Sequence, residues 1–188
     1  MKRESFGILL LKGIGYVVLG NVLCLIMTMA IFVFGSNMFI KILAIAFSAA
    51  IFFSLVFTAG WKNGAKERNM LKLGRVESAP KFRWIVIGLI MFAFAAAPTI
   101  YLLINKLFFP DRDNLLIYQF ISGSAYPLVL TFTPQADALV SQASRVEAMD
   151  VMFPILMIAY YALIPVFTQL GYWLALNDKL NTDKIIYK

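Results

Sequence analysis

The sequence contains no histidine and a single cysteine, Cys24, among its 188 residues. These shortages exclude the usual His/Cys zinc sites, haem ligation by histidine and a disulfide within the chain. They also remove the side chain that most often serves as a general base. Because Cys24 lies in the middle of an apolar segment, we interpret it as a small side chain in a helix contact. We therefore predict no catalytic residue, no cofactor and no metal ion.

Charge is scarce as well, at 14% of residues, whereas hydrophobic residues make up 61%. A soluble domain carries about 25% charged residues, and a membrane helix needs about 20 mostly apolar ones. Four segments meet that requirement with no charge deep in their interior, namely 13–35, 42–61, 84–104 and 151–176. The first is too long for a cleavable signal peptide and no small-x-small site follows it. We predict an all-α membrane protein with four transmembrane helices, forming a single membrane domain over residues 1–188.

The cations are distributed unevenly about these four segments. Thirteen of the 17 Lys and Arg residues fall in the N-terminus, the stretch 62–83 and the C-terminus, which lie on one side of a four-helix arrangement. Cytoplasmic loops are enriched in Lys and Arg. This asymmetry predicts a multi-pass protein with both termini in the cytoplasm.

The stretch 62–83 is predicted to be a basic cytoplasmic loop that faces lipid or a partner, through Lys62, Lys66, Arg68, Lys72, Arg75, Lys81 and Arg83. Cations followed by Gly74 indicate a helix C-terminus, so we expect the second helix to extend to about Leu73. The cations orient the chain, and they also suit anionic lipid headgroups or a protein partner, with Glu67 and Glu77 setting the register. Nucleic acid is not expected, because no long basic face or aromatic platform is present.

The segment 109–150 on the other side is the least regular part of the chain. Within it, residues 114–133 are moderately apolar but interrupted by glycine, serine and proline. They fit a fifth span, a re-entrant hairpin or a helix on the outer surface. A fifth span would move the C-terminal lysines to the other side, so we favour a re-entrant or interfacial segment. Paired acids such as Glu147 and Asp150 are interpreted as a solvated helix start.

Polar residues within the predicted spans are the candidates for intramembrane contacts, because polar groups are costly to bury in lipid. They are Asn21, Thr99, Thr168 and Gln169. Interhelical hydrogen bonding is the simpler interpretation, and a polar path for a substrate is the alternative. Small residues four apart, Ala46 with Ala50 and Ala93 with Ala97, predict close helix contacts within the bundle or between copies.

Two stretches, GWKNGAKERNMLKLGRVE and LGYWLALNDKLNTDKIIYK, resemble small integral membrane proteins of anaerobic Gram-positive bacteria. The first matches a basic W-K-x-G-x-x-x-R-N … G-R-x-E loop at Trp61, Lys62, Gly64, Arg68, Asn69, Gly74, Arg75 and Glu77. The second matches a GY-x-L … K-x-x-Y-K ending at Gly171, Tyr172, Leu174, Lys184, Tyr187 and Lys188. The resemblance implies the four-helix topology and a bacterial plasma membrane. It implies no catalytic residue and no substrate.

These observations predict a non-enzymatic membrane protein that acts as an accessory or scaffold subunit of a bacterial membrane complex. Its expected partners are the lipid bilayer, anionic headgroups and a protein partner or a second copy of the chain. The alternative is a component of a small-molecule transporter that works as an oligomer or with a partner subunit. A membrane enzyme ranks third, because the spans lack the usual titratable groups.

Overall fold

The computed structural model describes residues 3–35, 37–80, 82–108, 121–132 and 148–177. Within these ranges the chain is all-α and forms no strand. The helices, in chain order, are α1 (Phe6–Phe32), α2 (Met38–Lys72), α3 (Arg83–Phe108), α4 (Tyr126–Phe132), α5 (Ala148–Tyr161) and α6 (Ile164–Leu176). Four helical stretches among the described residues are long and apolar enough to cross a membrane, which confirms the predicted fold class.

The helix ends follow local sequence signals. Ser5 accepts a hydrogen bond from the Ile8 N–H at the start of α1, and Asn37 accepts one from the Ile40 N–H at the start of α2. Such side-chain acceptors satisfy N–H groups that have no partner inside the helix. At the end of α2, the Gly74 N–H bonds to the Leu71 carbonyl and the Arg75 N–H to the Met70 carbonyl. This pattern of hydrogen bonds requires a residue in the left-handed backbone conformation, and Gly74 adopts it with φ of +64°.

The boundaries of three helices differ from the predicted spans. α1 begins at Phe6 and not at Gly13, because Lys12 sits within the helix and pairs with Glu4. α2 continues to Lys72, as the cations before Gly74 predicted, so much of the expected loop 62–83 is helical. The predicted fourth span, 151–176, is two helices, because Pro165 cannot donate to the preceding turn and α6 starts afresh at Ile164.

The apolar residues are arranged as in a membrane bundle. Large hydrophobic side chains such as Val22, Ile26 and Leu89 face outward and are about half exposed. The interior contains aromatic rings, with the Phe53 ring 4.7 Å from that of Phe167 and 5.0 Å from that of Tyr160 between centroids. Since water would disfavour such an outer surface, the bundle is suited to hydrocarbon on its outside.

Glycines bring α2 and α6 into backbone contact. A Cβ built on Gly60 would collide with the carbonyl oxygen of Thr168, and one built on Gly64 would collide with that of Tyr172. On α6, a Cβ built on Gly171 would collide with the carbonyl oxygen of Phe57. Small residues allow membrane helices to approach closely enough for extensive van der Waals contact. The predicted alanine pairs do not serve this purpose within the bundle, because Ala46, Ala50, Ala93 and Ala97 are exposed.

Part of the predicted outer segment packs inside the bundle. Residues Ser122 to Ala125 form a turn before the seven-residue helix α4. Gly123 lies directly against the backbone of Asn21, a residue near the middle of α1. Ser122 and Ser124 are buried. This turn therefore reaches the interior of the bundle and does not rest on its outer surface. The rest of the predicted segment 114–133 lies outside the described residues, apart from Ile121 and α4.

Candidate functional site

One end of the bundle, which we call the basic end, gathers the start of α1, the end of α2, the start of α3 and the end of α6. Its centre is Glu67, which is only 4% exposed. Glu67 Oε1 lies 3.7 Å from Arg3 Nε and 3.7 Å from Arg83 Nη1. Its other oxygen, Oε2, accepts a 2.7 Å hydrogen bond from the Tyr172 hydroxyl. A buried carboxylate is stable only when it is paired and hydrogen-bonded, and these groups supply both kinds of partner.

This arrangement overturns one prediction about the basic loop. Glu67 was expected to set the register of an external partner together with Glu77. Its carboxylate instead faces inward, because α6 brings Tyr172 against it and the N-terminal segment brings Arg3. Glu77 is exposed. Glu67 is therefore a residue that holds the helices together at the basic end.

A second carboxylate, that of Glu4, binds two further cations, Lys12 and Lys66. Lys12 Nζ donates to both oxygens of Glu4 at 2.9 Å, and Lys66 Nζ donates to Oε1 at 2.7 Å. Arg83 Nη2 donates to the Glu4 backbone carbonyl at 2.9 Å. The hydrogen bonds from Lys66 and then Lys12 hold the pKa of Glu4 below its usual range. Glu4 thus remains a carboxylate at neutral pH, with two ammonium groups converging on it.

A cavity of about 560 Å³ lies beside this cluster. Its polar lining includes three lysines, the Tyr16 ring, the Glu4 carboxylate and Asn63, and apolar residues complete it. The lining residues are Glu4, Lys12, Gly15, Tyr16, Leu19, Ala59, Lys62, Asn63, Lys66 and Trp84. Lys62 Nζ donates to the Tyr16 hydroxyl at 3.0 Å and lies 5.6 Å from the centroid of that ring. The cavity therefore combines concentrated positive charge with an apolar surface.

Trp84 is one wall of the cavity and is fully buried. Its ring stacks on that of Tyr172 within the bundle, with 6.4 Å between the ring centroids. Its indole Nε1 is buried and has no hydrogen-bond partner among the described residues. A buried indole N–H without an acceptor is unusual, because leaving it unpaired costs about 1–3 kcal/mol.

The seven predicted basic-loop residues have different roles. Lys66 and Arg83 are bound to the two carboxylates, and Lys62 is bound to Tyr16. Lys72 and Arg75 are exposed at the end of α2, and Arg68 is partly buried. Lys81 lies outside the described residues. The structure thus separates this group into cations that stabilise the basic end and cations that face outward.

The polar residues within the predicted spans also differ in their contacts. Asn21 Oδ1 accepts from the Ser124 N–H at 3.0 Å and from the Ser124 hydroxyl at 2.7 Å. The Ser124 hydroxyl lies 3.2 Å from that of Tyr161. Thr168 donates to carbonyls of its own helix and approaches the Trp84 carbonyl at 3.4 Å. Thr99 is buried on α3 and Gln169 is half-buried on α6. For Asn21 and Thr168, hydrogen bonding within the bundle is the observed role.

No three His, Cys, Asp or Glu residues are grouped to hold a metal within the described ranges. The acidic residues Asp111, Asp113 and Glu147 lie outside those ranges.

The cavity residues that were not predicted from the sequence include Glu4, Tyr16 and Trp84. For Tyr16 there was a local signal, because Lys12 and Tyr16 are four residues apart and lie on one face of α1.

Comparisons of the sequence with protein-family models, with curated proteins and with solved structures found no match. The geometry of the basic end and of the polar contacts is therefore the basis for the assignments that follow.

Proposed function

We propose that this chain is a non-enzymatic accessory subunit of a bacterial membrane complex, multi-pass in the plasma membrane with both termini in the cytoplasm. Its projecting basic helix end, formed by the last turns of α2 and by Arg75, binds an acidic surface on a partner protein. The observation that carries the proposal is the exposure of Lys72, in the last turn of α2, and of Arg75, just beyond the helix end, on a helix that is held by the bundle.

The rigidity of α2 comes from its contacts near the basic end. Gly64 lies against the backbone of Tyr172, Met70 is 2% exposed, and Glu67 is bound from three sides. The glycine at position 74 then closes the helix. A preorganised surface loses less conformational freedom on binding than a flexible loop does. This supports a docking role over a purely orienting role for the outer cations.

The electrostatics favour an acidic partner on the cytoplasmic side. The chain carries a formal net charge of +7. Exposed cations at a protein interface mainly raise the rate of encounter and exclude partners of like charge. The basic end contains the start of α1, the end of α2 and the start of α3, so the cations of these segments share one side. Such an excess marks the cytoplasmic side of bacterial membrane proteins.

The experiment is purification from native membranes in mild detergent, after photo-crosslinking from a probe at position 72 and, separately, at position 41. Lys41 lies near the other end of α2 and serves as the positional control. We expect a stoichiometric companion whose crosslinked peptides are rich in Asp and Glu, captured from position 72 alone. The double variant Lys72→Gln/Arg75→Gln should lose it, and Lys41→Gln should keep it. A homo-oligomer without a companion would overturn the proposal.

The orientation in the membrane is tested separately by labelling an introduced cysteine. This is practical because the chain has a single cysteine of its own, Cys24, which is buried. A Cys24→Ala chain carrying Arg75→Cys should react with a membrane-impermeant maleimide only after the cells are opened. Labelling of intact cells would place the basic end outside and contradict the proposed topology.

The transport alternative remains a prediction. It requires Asn21, Thr99 and Gln169 to line one path, whereas the Asn21 side-chain oxygen is already used by Ser124. Asn21→Leu and Gln169→Leu should alter ligand binding without loss of folding if that path exists.

A further inference from the structure

The cavity at the basic end contains an anion-binding arrangement that is not needed for the proposed partner contact. Three ammonium groups line it, those of Lys12, Lys62 and Lys66, and a single carboxylate, Glu4, opposes them. Two of the three converge on Glu4 Oε1 at 2.9 and 2.7 Å. The side chain of this glutamate thus marks where a negatively charged oxygen is stabilised in the cavity.

The charge of the cavity is not balanced by its own residues. Lys62 bonds to the neutral hydroxyl of Tyr16, so the lining as a whole keeps a surplus of positive charge. An entering anion would accept from the ammonium groups that line the cavity, and charge-assisted hydrogen bonds are the stronger kind.

The remaining lining identifies the kind of anion. Gly15, Leu19 and Ala59 also line the cavity, and they lie farther into the apolar segments of α1 and α2 than Lys12 and Lys62 do. We propose that the cavity binds the phosphate of an anionic phospholipid headgroup, with the start of its acyl chains against this apolar wall. A free phosphate ion would use the lysines but gain nothing from the apolar surface.

The carboxylate of Glu4 competes with the phosphate for Lys12 and Lys66, so the lipid must displace it or share the lysines with it. Removing this negative charge strengthens phosphate binding, whereas removing a lysine weakens it. A merely structural role for the cluster predicts weaker binding in both cases, because both changes break the same ion pairs.

The experiment is native mass spectrometry of the purified full chain in detergent. The chain is incubated with equimolar phosphatidylglycerol and phosphatidylcholine of identical acyl chains. We expect one phosphatidylglycerol retained in preference to phosphatidylcholine. The variant Lys12→Gln/Lys62→Gln should retain it at least about tenfold less, since each cation near a headgroup contributes about 1 kcal/mol. Lys62→Gln alone is the second variant, because this exposed side chain has only a neutral partner and its loss leaves the ion pairs intact.

The matched control is Lys72→Gln/Arg75→Gln, which removes the same charge from exposed residues roughly 15 Å farther along the chain than Lys62. It should retain the lipid as the parent does, and Glu4→Gln should retain it more strongly. Equal retention of the two lipids, or undiminished retention by Lys62→Gln, would overturn the proposal. Displacement of the lipid by millimolar inorganic phosphate would overturn the lipid identity and assign the cavity to a soluble anion.

Discussion

The Tyr172 hydroxyl donates a 2.7 Å hydrogen bond to Glu67 Oε2 and thereby joins α6 to the buried carboxylate of α2. The two residues are 105 positions apart in the chain. This contact completes the hydrogen bonding of a carboxylate that also faces Arg3 and Arg83. It is the polar counterpart of the glycine contacts that bring the same two helices together.

Tyr172→Phe should lower the stability of the bundle, because it removes a donor from a buried carboxylate. Hydrogen bonds to charged groups contribute about 1.5–3 kcal/mol. The measurement is thermal unfolding in detergent. Tyr160→Phe is the matched control, because the Tyr160 hydroxyl is buried and has no hydrogen-bond partner among the described residues. An equal loss in both variants would mean that the Glu67 contact adds nothing.

Gly60→Ala should separate α2 from α6, because the added methyl group meets the Thr168 carbonyl oxygen, which cannot move without the helix. Overpacking of this kind costs about 1–3 kcal/mol. Gly7→Ala is the control, since its Cβ would meet nothing within 4 Å. The measurement is the unfolding curve of each variant, which gives the difference in stability between them. A Gly60→Ala chain as stable as the parent would show that the helices are not in backbone contact.

Ser124→Ala should loosen the turn before α4. It removes a hydroxyl that donates to Asn21 Oδ1 at 2.7 Å and lies 3.2 Å from the Tyr161 hydroxyl. We expect a loss of about 1 kcal/mol and faster proteolysis near residues 121–132. Ser122→Ala should change neither, because the buried Ser122 hydroxyl has no hydrogen-bond partner within the described ranges. If the two serine variants behave alike, the Asn21 contact does not hold the turn.

Glu4 should make stability depend on pH in the acid range. Its pKa in the folded chain is lowered from the ordinary value of 4.5, chiefly by the hydrogen bond from Lys66. Because this pKa is lowered, the contribution of Glu4 to the free energy of unfolding is fully present above the pKa of Glu4 in the unfolded chain. It is lost as the pH falls through the pKa in the folded chain. The difference in melting temperature between the parent and Glu4→Gln should therefore stay nearly constant above about pH 5 and narrow as the pH falls below the unfolded value of 4.5. A difference that stays unchanged down to acid pH would contradict the ion pairs at Glu4.

The features that the sequence predicted are those set by local signals. Lys72 lies two positions before Gly74, and together they predicted the end of α2 to within one residue. The long apolar segments predicted the four membrane-crossing stretches for the same reason. The first helix begins earlier than the predicted span, because Lys12 lies within α1 and pairs with Glu4, which precedes the helix.

The site could not be predicted, because it depends on how the helices are rotated and offset against each other. Nothing local to Glu67 indicates that a tyrosine 105 residues later will bind it. The burial of Trp84 likewise follows from the packing of α3 against α6, which no local signal indicates. Gly60 and Gly64 are four residues apart and also form a small-residue pattern, and the close contact between α2 and α6 lies at these glycines and not at the alanine pairs.

The Glu67 cluster also bears on the order of assembly during synthesis. Arg3 precedes Glu67 in the chain, Arg83 follows it closely, and Tyr172 belongs to the last described helix. A nascent chain that has delivered only its first three helices therefore carries this carboxylate with its cations but without its phenol donor. Completion of α6 is the step that supplies this donor, so a chain truncated before α6 leaves the Glu67 carboxylate short of one hydrogen bond.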